Sequence, residues 1–173
     1  MNTEITIPNT IQEVVASLKN VPQNPLWHPE VDVYSHTAFV WHQLSSSPLL
    51  SFVALFHDLG KIDTTVYNDV KKSYTSYGHE FKSLRYVDKF HHILPEDIDL
   101  GTVKLLVKYH MTAKYFSEMR VHKQKQLIEE LGNSAEDLTT FTLADDARGF
   151  WLKTTPEQRE EIKAEFQAWV DTL

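Results

Sequence analysis

Residues 47–61 read SPLLSFVALFHDLGK, and the fold is decided here. Ser47 before Pro48 is a helix start, since serine caps the free amides and proline is tolerated in the first turn. From Leu49 to Phe56 the side chains are apolar nearly all round, which predicts a helix buried on every side. It should close at HDLGK, with Gly60 in the left-handed conformation. An ionisable pair, His57-Asp58, at the end of a buried helix is costly unless a metal or a partner neutralises the carboxylate.

Outward from this helix the pattern stays helical. Thr10 caps a helix to about Asn20 with Ile11, Val14, Val15 and Leu18 on one face. The Pro-rich connector VPQNPLWHPE (21–30) leads to a second helix from about Asp32 to Leu44. The stretch TTVYNDVKKSYTSY (64–77) is rich in β-branched and aromatic residues and fits a short β-hairpin near residues 64–76, or an ordered loop, better than a helix. Further helices are expected from Gly78 to His92, from Asp99 to Tyr109, up to Leu131 after the loop MTAKYFSEM (111–119), from Ser134 to Phe150, and from Thr155 onward. The last opens on TPEQ, with Thr155 as cap, Pro156 in the first turn and Gln158 closing a capping box. The expectation is an all-α, compact helical bundle of six to eight helices in one domain over 1–173, with its motif-bearing core at about 22–150 and a C-terminal helix at about 155–171.

The chain has 173 residues, 17 Lys+Arg against 24 Asp+Glu, and a formal charge of −7. That balance disfavours a coat for long duplex nucleic acid or an anionic membrane. There is no cysteine, so disulfides, thiolate zinc sites and Cys nucleophiles are excluded, and any metal chemistry falls to His, Asp and Glu. No apolar run approaches a bilayer span, and MNTEITIPNT (1–10) lacks a basic start followed by an apolar core, which reads as cytoplasmic.

Nine histidines then draw attention. His36, the pair His57-Asp58, His79, His110 and the pair Asp145-Asp146 all stand at element ends or on helix faces. Imidazole with carboxylate suits Mn, Fe, Co, Ni or Zn, and a hydrolytic site needs these ligands to leave one position open. A lone buried histidine is more often a hydrogen-bonded core residue. His42, His91, His92 and His122 read as surface or helix-end residues.

HDLGK preceded by His36 resembles the signature of HD-domain metal-dependent phosphohydrolases. NPLWHPEVDVYSHT (24–37), HDLGK, YGHE (77–80), a later His and LADDARGF (143–150), in this order, resemble the HD domain that follows the catalytic head in bacterial CCA-adding tRNA nucleotidyltransferases. The expectation is a stand-alone HD domain without that head. The resemblance implies His36, His57 and Asp58 as metal ligands with an Asp of LADDARGF as the fourth: the DARG string favours Asp146, and the Ala-Asp pair favours Asp145 as the alternative. It also implies His79 and His110 as ligands of a second ion, or as groups that orient the first set, giving one divalent transition metal with room for a second. Where the relatives write Gly, this chain has Val31, a departure expected to alter the lead-in loop.

The chemistry implied is hydrolysis of a phosphoester, with Asp58 and Lys61 as catalytic residues and His28, Lys61 and Arg148 facing the substrate. A phosphorylated nucleotide or RNA end is the expected partner, with a 2′,3′-cyclic or terminal phosphate first. A 5′-nucleotidase or deoxynucleoside triphosphate triphosphohydrolase, an HD nuclease, and a non-catalytic RNA-binding or assembly module are the competing readings. Acidic residues after HD and a GYP triplet, marks of the alarmone and cyclic-di-GMP branches, are absent from this sequence.

Overall fold

The computed structural model describes residues 7–173, so the first six residues of the stretch MNTEITIPNT lie outside the described residues. The helix at its centre is α3 (Pro48–Phe56), capped by Ser47, whose hydroxyl accepts from Leu50 N. Every residue from Leu50 to Phe56 is buried. It packs on α2 (Val33–Leu44), α5 (His79–Phe90), α6 (Leu100–Lys114) and α8 (Ala135–Asp145). Burial on all sides explains the lack of a polar stripe.

The predicted caps form. Thr10 and Glu13 make a capping box ahead of α1 (Ile11–Ser17), Asp32 accepts from Ser35 N, and Asp99 accepts from Thr102 N. Thr155 and Gln158 make a second box ahead of α10 (Pro156–Val170). Helix α10 is fastened across α2, where Trp41 stacks on Trp169 at 5.3 Å and Tyr34 Oη donates to Lys163 O. Residues from α1 through α10 share one hydrophobic cluster.

The remaining elements are α4 (Lys61–Thr64), β1 (Val66–Asn68), β2 (Ser73–Thr75), α7 (Val121–Leu131) and α9 (Arg148–Lys153). The two strands pair antiparallel, Val66 opposite Thr75. Among the described residues, eight helices of seven residues or more and two short ones make the architecture all-α. None is long and apolar enough to cross a membrane.

Three local expectations need correction. Gly60 is right-handed, with φ −63° and ψ −12°. Its missing side chain serves close approach instead: a Cβ there would meet His79 O at 2.2 Å and Ser83 N at 2.6 Å. The helix expected over Ser134–Phe150 breaks after Asp145, because Asp146 takes the non-helical ψ of 62°, and α9 starts only at Arg148. The helix from Asp99 continues past Tyr109 to Lys114, carrying that lysine one turn beyond His110.

Candidate metal centre

Five elements bring their ends or inner faces together. His36 lies in the first turn of α2, His57 and Asp58 at the end of α3, His79 at the start of α5, His110 inside α6 and Asp145 at the end of α8. All six side chains are buried. Gly60 sets the approach of α5 to the HDLGK turn, and Ser83 ties it down by accepting from Gly60 N and donating to His57 O at 2.7 Å.

Asp58 divides its two oxygens between two pairs of histidines. Oδ2 is 3.3 Å from His57 Nε2 and 3.7 Å from His36 Nε2, while Oδ1 is 3.1 Å from His79 Nε2 and 3.9 Å from His110 Nε2. Asp145 Oδ1 closes the first set, 2.9 Å from His36 Nε2 and 3.5 Å from His57 Nε2. The groups His36-His57-Asp58 and Asp58-His79-His110 each have ligand atoms near enough to hold an ion.

The other ring nitrogens are engaged. Nδ1 of His57, His79 and His110 lies 2.7–2.8 Å from the carbonyls of Ala54, Ser76 and Val107. A carbonyl only accepts, so each Nδ1 carries the proton and each Nε2 of a neutral ring turns a lone pair inward. His36 Nδ1 is held in the same way by Glu30 Oε1 at 2.6 Å.

Charge is balanced within the cluster. Burial alone would raise the Asp58 carboxyl, but the charges of His57 and Lys61 hold it well below the usual carboxylate range. Asp145 is likewise held low against burial by the charge of Lys114 and its bond to His36. Lys61 Nζ stands 2.7 Å from Asp58 Oδ2, and Lys114 Nζ stands 2.7 Å from Asp145 Oδ2. Each buried carboxylate thus faces an ammonium group across an ion pair. Burial disfavours the His57 cation, yet Asp58 and Asp145 together raise its pKa to about 9. His110 is pushed down to about 3 by burial and by the charge of His57. Imidazole nitrogens and carboxylate oxygens brought this close together are donors of the kind that bind a cation, so the residues present fit a metal ion.

The cluster opens into a cleft of about 350 Å³ that Asp58 and His79 reach from below. Lys61, Lys114 and His28 also line it. Lys61 Nζ further donates to Gln23 Oε1 at 2.6 Å. His28 is lowered to about 4, chiefly by burial, and its Nδ1 is 3.0 Å from Glu30 Oε1. With Nδ1–H committed to Glu30, the neutral ring offers the cleft an acceptor and not a proton.

Two readings of the site residues change. Asp145, the alternative, joins the cluster, whereas the preferred Asp146 is exposed at the C-cap of α8. Adjacent helical positions point about 100° apart, so only one of the pair can face inward. Arg148 does not line the cleft; it donates to Leu26 O at 3.1 Å and braces the loop ahead of His28. Glu30 and Lys114 were missed as site residues, although Lys114 stands four residues after His110 on the same helix face. Glu30 accepts from both His28 and His36 and is held ionised by those bonds despite burial.

The chain is similar to multifunctional CCA proteins. It is 41% identical over 78 residues to that of Shewanella frigidimarina, covering 43% of this chain and 18% of the relative. A match to the protein of Aliivibrio salmonicida runs over 164 residues at 29% identity, covering 89% of this chain and 39% of the relative. That of Vibrio vulnificus is 48% identical over 50 residues, covering 27% of this chain and 12% of the relative. The chain thus spans well under half the length of these relatives, and the likeness read from its motifs is borne out. No protein-family model and no solved structure matches it.

Proposed function

We propose that this chain is a metal-dependent phosphohydrolase of the HD type acting on nucleotides or RNA ends, with 2′,3′-cyclic phosphates and terminal phosphates as first substrates. One observation carries the reading: four buried imidazoles and two buried carboxylates converge beneath a cleft whose remaining charged groups are lysines. Likeness to multifunctional CCA proteins supports an RNA-end substrate. In this reading His36, His57, Asp58 and Asp145 hold one divalent cation, and His79 and His110 with Asp58 hold a second. A bound cation supplies Lewis acidity toward a phosphoryl oxygen and acidifies water for attack on phosphorus.

The chain's own residues do the rest. Glu30 fixes the ring of His36, and the carbonyls of Ala54, Ser76 and Val107 fix the other three rings, so the ligand atoms need no reorganisation. Asp58 spans both histidine pairs and orients whatever sits between them. Lys61 and Lys114, at the carboxylates and on the cleft wall, are the cations that meet the substrate phosphate. A cleft of about 350 Å³ suits a mononucleotide or a strand end better than a duplex.

The test is a panel of adenosine 2′,3′-cyclic phosphate, the 2′-, 3′- and 5′-monophosphates, deoxyadenosine triphosphate, and single-stranded RNA and DNA, each with Mn, Co, Ni, Zn and Mg. Hydrolysis of the cyclic or terminal phosphates, abolished by Asp58→Asn, is the expected result. Preference for the 5′-monophosphate or the triphosphate moves the reading to a nucleotidase. Internal strand cleavage moves it to a nuclease, and no cleavage by the metal-loaded chain leaves a binding or assembly module.

A further inference from the structure

The mouth of the cleft carries aromatic rings that neither the metal cluster nor the core uses. Trp27 is 64% exposed and Tyr77 is 68% exposed, yet both line the concavity that leads down to Asp58 and His79. Burying such a ring is favourable, so two left open at one concave rim mark a surface made for contact. Each ring is tied by the chain to a residue at the base of the cleft. Trp27 adjoins His28, whose ring is held by Glu30, and Tyr77 is two residues before His79.

The two rims are also held in place. Asn24 Oδ1 accepts from Leu26 N, and Arg148 donates to Leu26 O, so the loop under Trp27 is braced from both sides. On the opposite rim Thr65 Oγ1 pairs with Ser76 Oγ at 2.8 Å at the foot of the β-hairpin. Lys71 is hydrogen-bonded to Tyr77 Oη, and its ammonium lies 5.1 Å from the centre of that ring. Gly78, at φ 74°, makes the turn that lets Tyr77 stay at the lip while α5 begins below it.

We propose that Trp27 and Tyr77 form a nucleobase subsite at the mouth of the cleft, so that the ligand is seized by stacking on its base while its phosphate reaches down to Lys61 and Lys114. The proposal rests on the phosphohydrolase reading for the identity of the ligand. The chemistry on the page selects a base: flat π surfaces at the rim, ammonium groups along the wall and a cavity of about 350 Å³ match a planar heterocycle joined to an anion. Stacking is indifferent to which base is present, so the subsite should accept purines and pyrimidines alike.

Adenosine and inorganic phosphate, titrated separately into the metal-loaded full chain and followed by ligand-observed NMR, test the subsite without requiring turnover. Trp27→Ala and Tyr77→Ala should each weaken adenosine binding by roughly 5- to 150-fold, and Trp27→Phe should restore it to within a few-fold, with phosphate binding and metal content unchanged in all three. Equal adenosine affinity in wild type and both alanine variants overturns the proposal, as does wild type that binds no adenosine. Loss of phosphate or metal together with adenosine also overturns it, since the rings would then be structural. Adenosine binding that follows this pattern in a chain that cleaves no phosphoester upholds the subsite and removes only the hydrolase reading.

Discussion

His79 and His110 face each other through their Nε2 atoms at 3.1 Å, while the Nδ1 of each ring is engaged by a main-chain carbonyl. Two neutral rings in that arrangement oppose lone pair to lone pair, which is unfavourable unless a proton or a cation stands against both. With His110 held neutral by burial, the contact asks for something positive. A spacing near 3 Å is also that of neighbouring ligands each about 2.1 Å from one ion.

Changing both residues to alanine should therefore remove one metal equivalent per chain and leave the ion at His36, His57, Asp58 and Asp145 in place. Metal analysis of the purified proteins reads this directly. Unchanged stoichiometry with a 10- to 100-fold loss of affinity would instead make the pair orienting groups.

Asp145→Asn and Asp146→Asn separate the two carboxylates of LADDARGF. The first should lower metal affinity by more than the roughly 10- to 100-fold typical of outer groups, because its Oδ1 faces both His36 and His57. The second, at an exposed position, should leave metal content unchanged. The reverse order would return the assignment to Asp146.

Metal affinity should rise with pH. The His57 pKa of about 9 means that below this value its Nε2 holds a proton that a metal must displace. One released proton gives about a tenfold gain per unit from pH 6 to about 9, with a plateau above. His36 is raised too, since its bonds to Asp145 and Glu30 outweigh burial, and it steepens the slope. Competition against a chromophoric chelator at fixed pH values measures the effect, and a flat profile between pH 6 and 8 would contradict it.

Val31 sits at φ 74°, in the left-handed region that a β-branched side chain rarely enters, and its side chain is exposed. Val31→Gly should relieve about 1 kcal/mol of strain net of glycine's added chain entropy and raise Tm by roughly 2–4 °C. Gly60→Ala should do the opposite, because the new Cβ meets backbone of α5; a loss of about 1–3 kcal/mol and a displaced His79 are expected. Thermal melts of the two variants check both signs.

Much of this was legible from local rules. Caps at Thr10, Asp32, Ser47, Asp99 and Thr155 are short-range devices, and each starts a helix where the residues predict one. The buried character of α3 and the cost of burying His57 and Asp58 follow from one stretch of chain. Val31 could be read as a departure from the relatives' Gly, but the φ that makes it matter could not.

The sequence by itself determined where most helices start, the all-α class and the residue types that meet at the cluster, because those follow from periodicity, capping and side-chain chemistry over a few positions. Tertiary structure alone decided that Asp145 and not Asp146 turns inward, that Gly60 is small to admit α5, that Lys114 and Glu30 belong to the site, and that Arg148 braces a loop. Each depends on how distant elements are rotated and spaced against one another, and a rotation of about 100° per residue makes the choice between neighbours a property of packing.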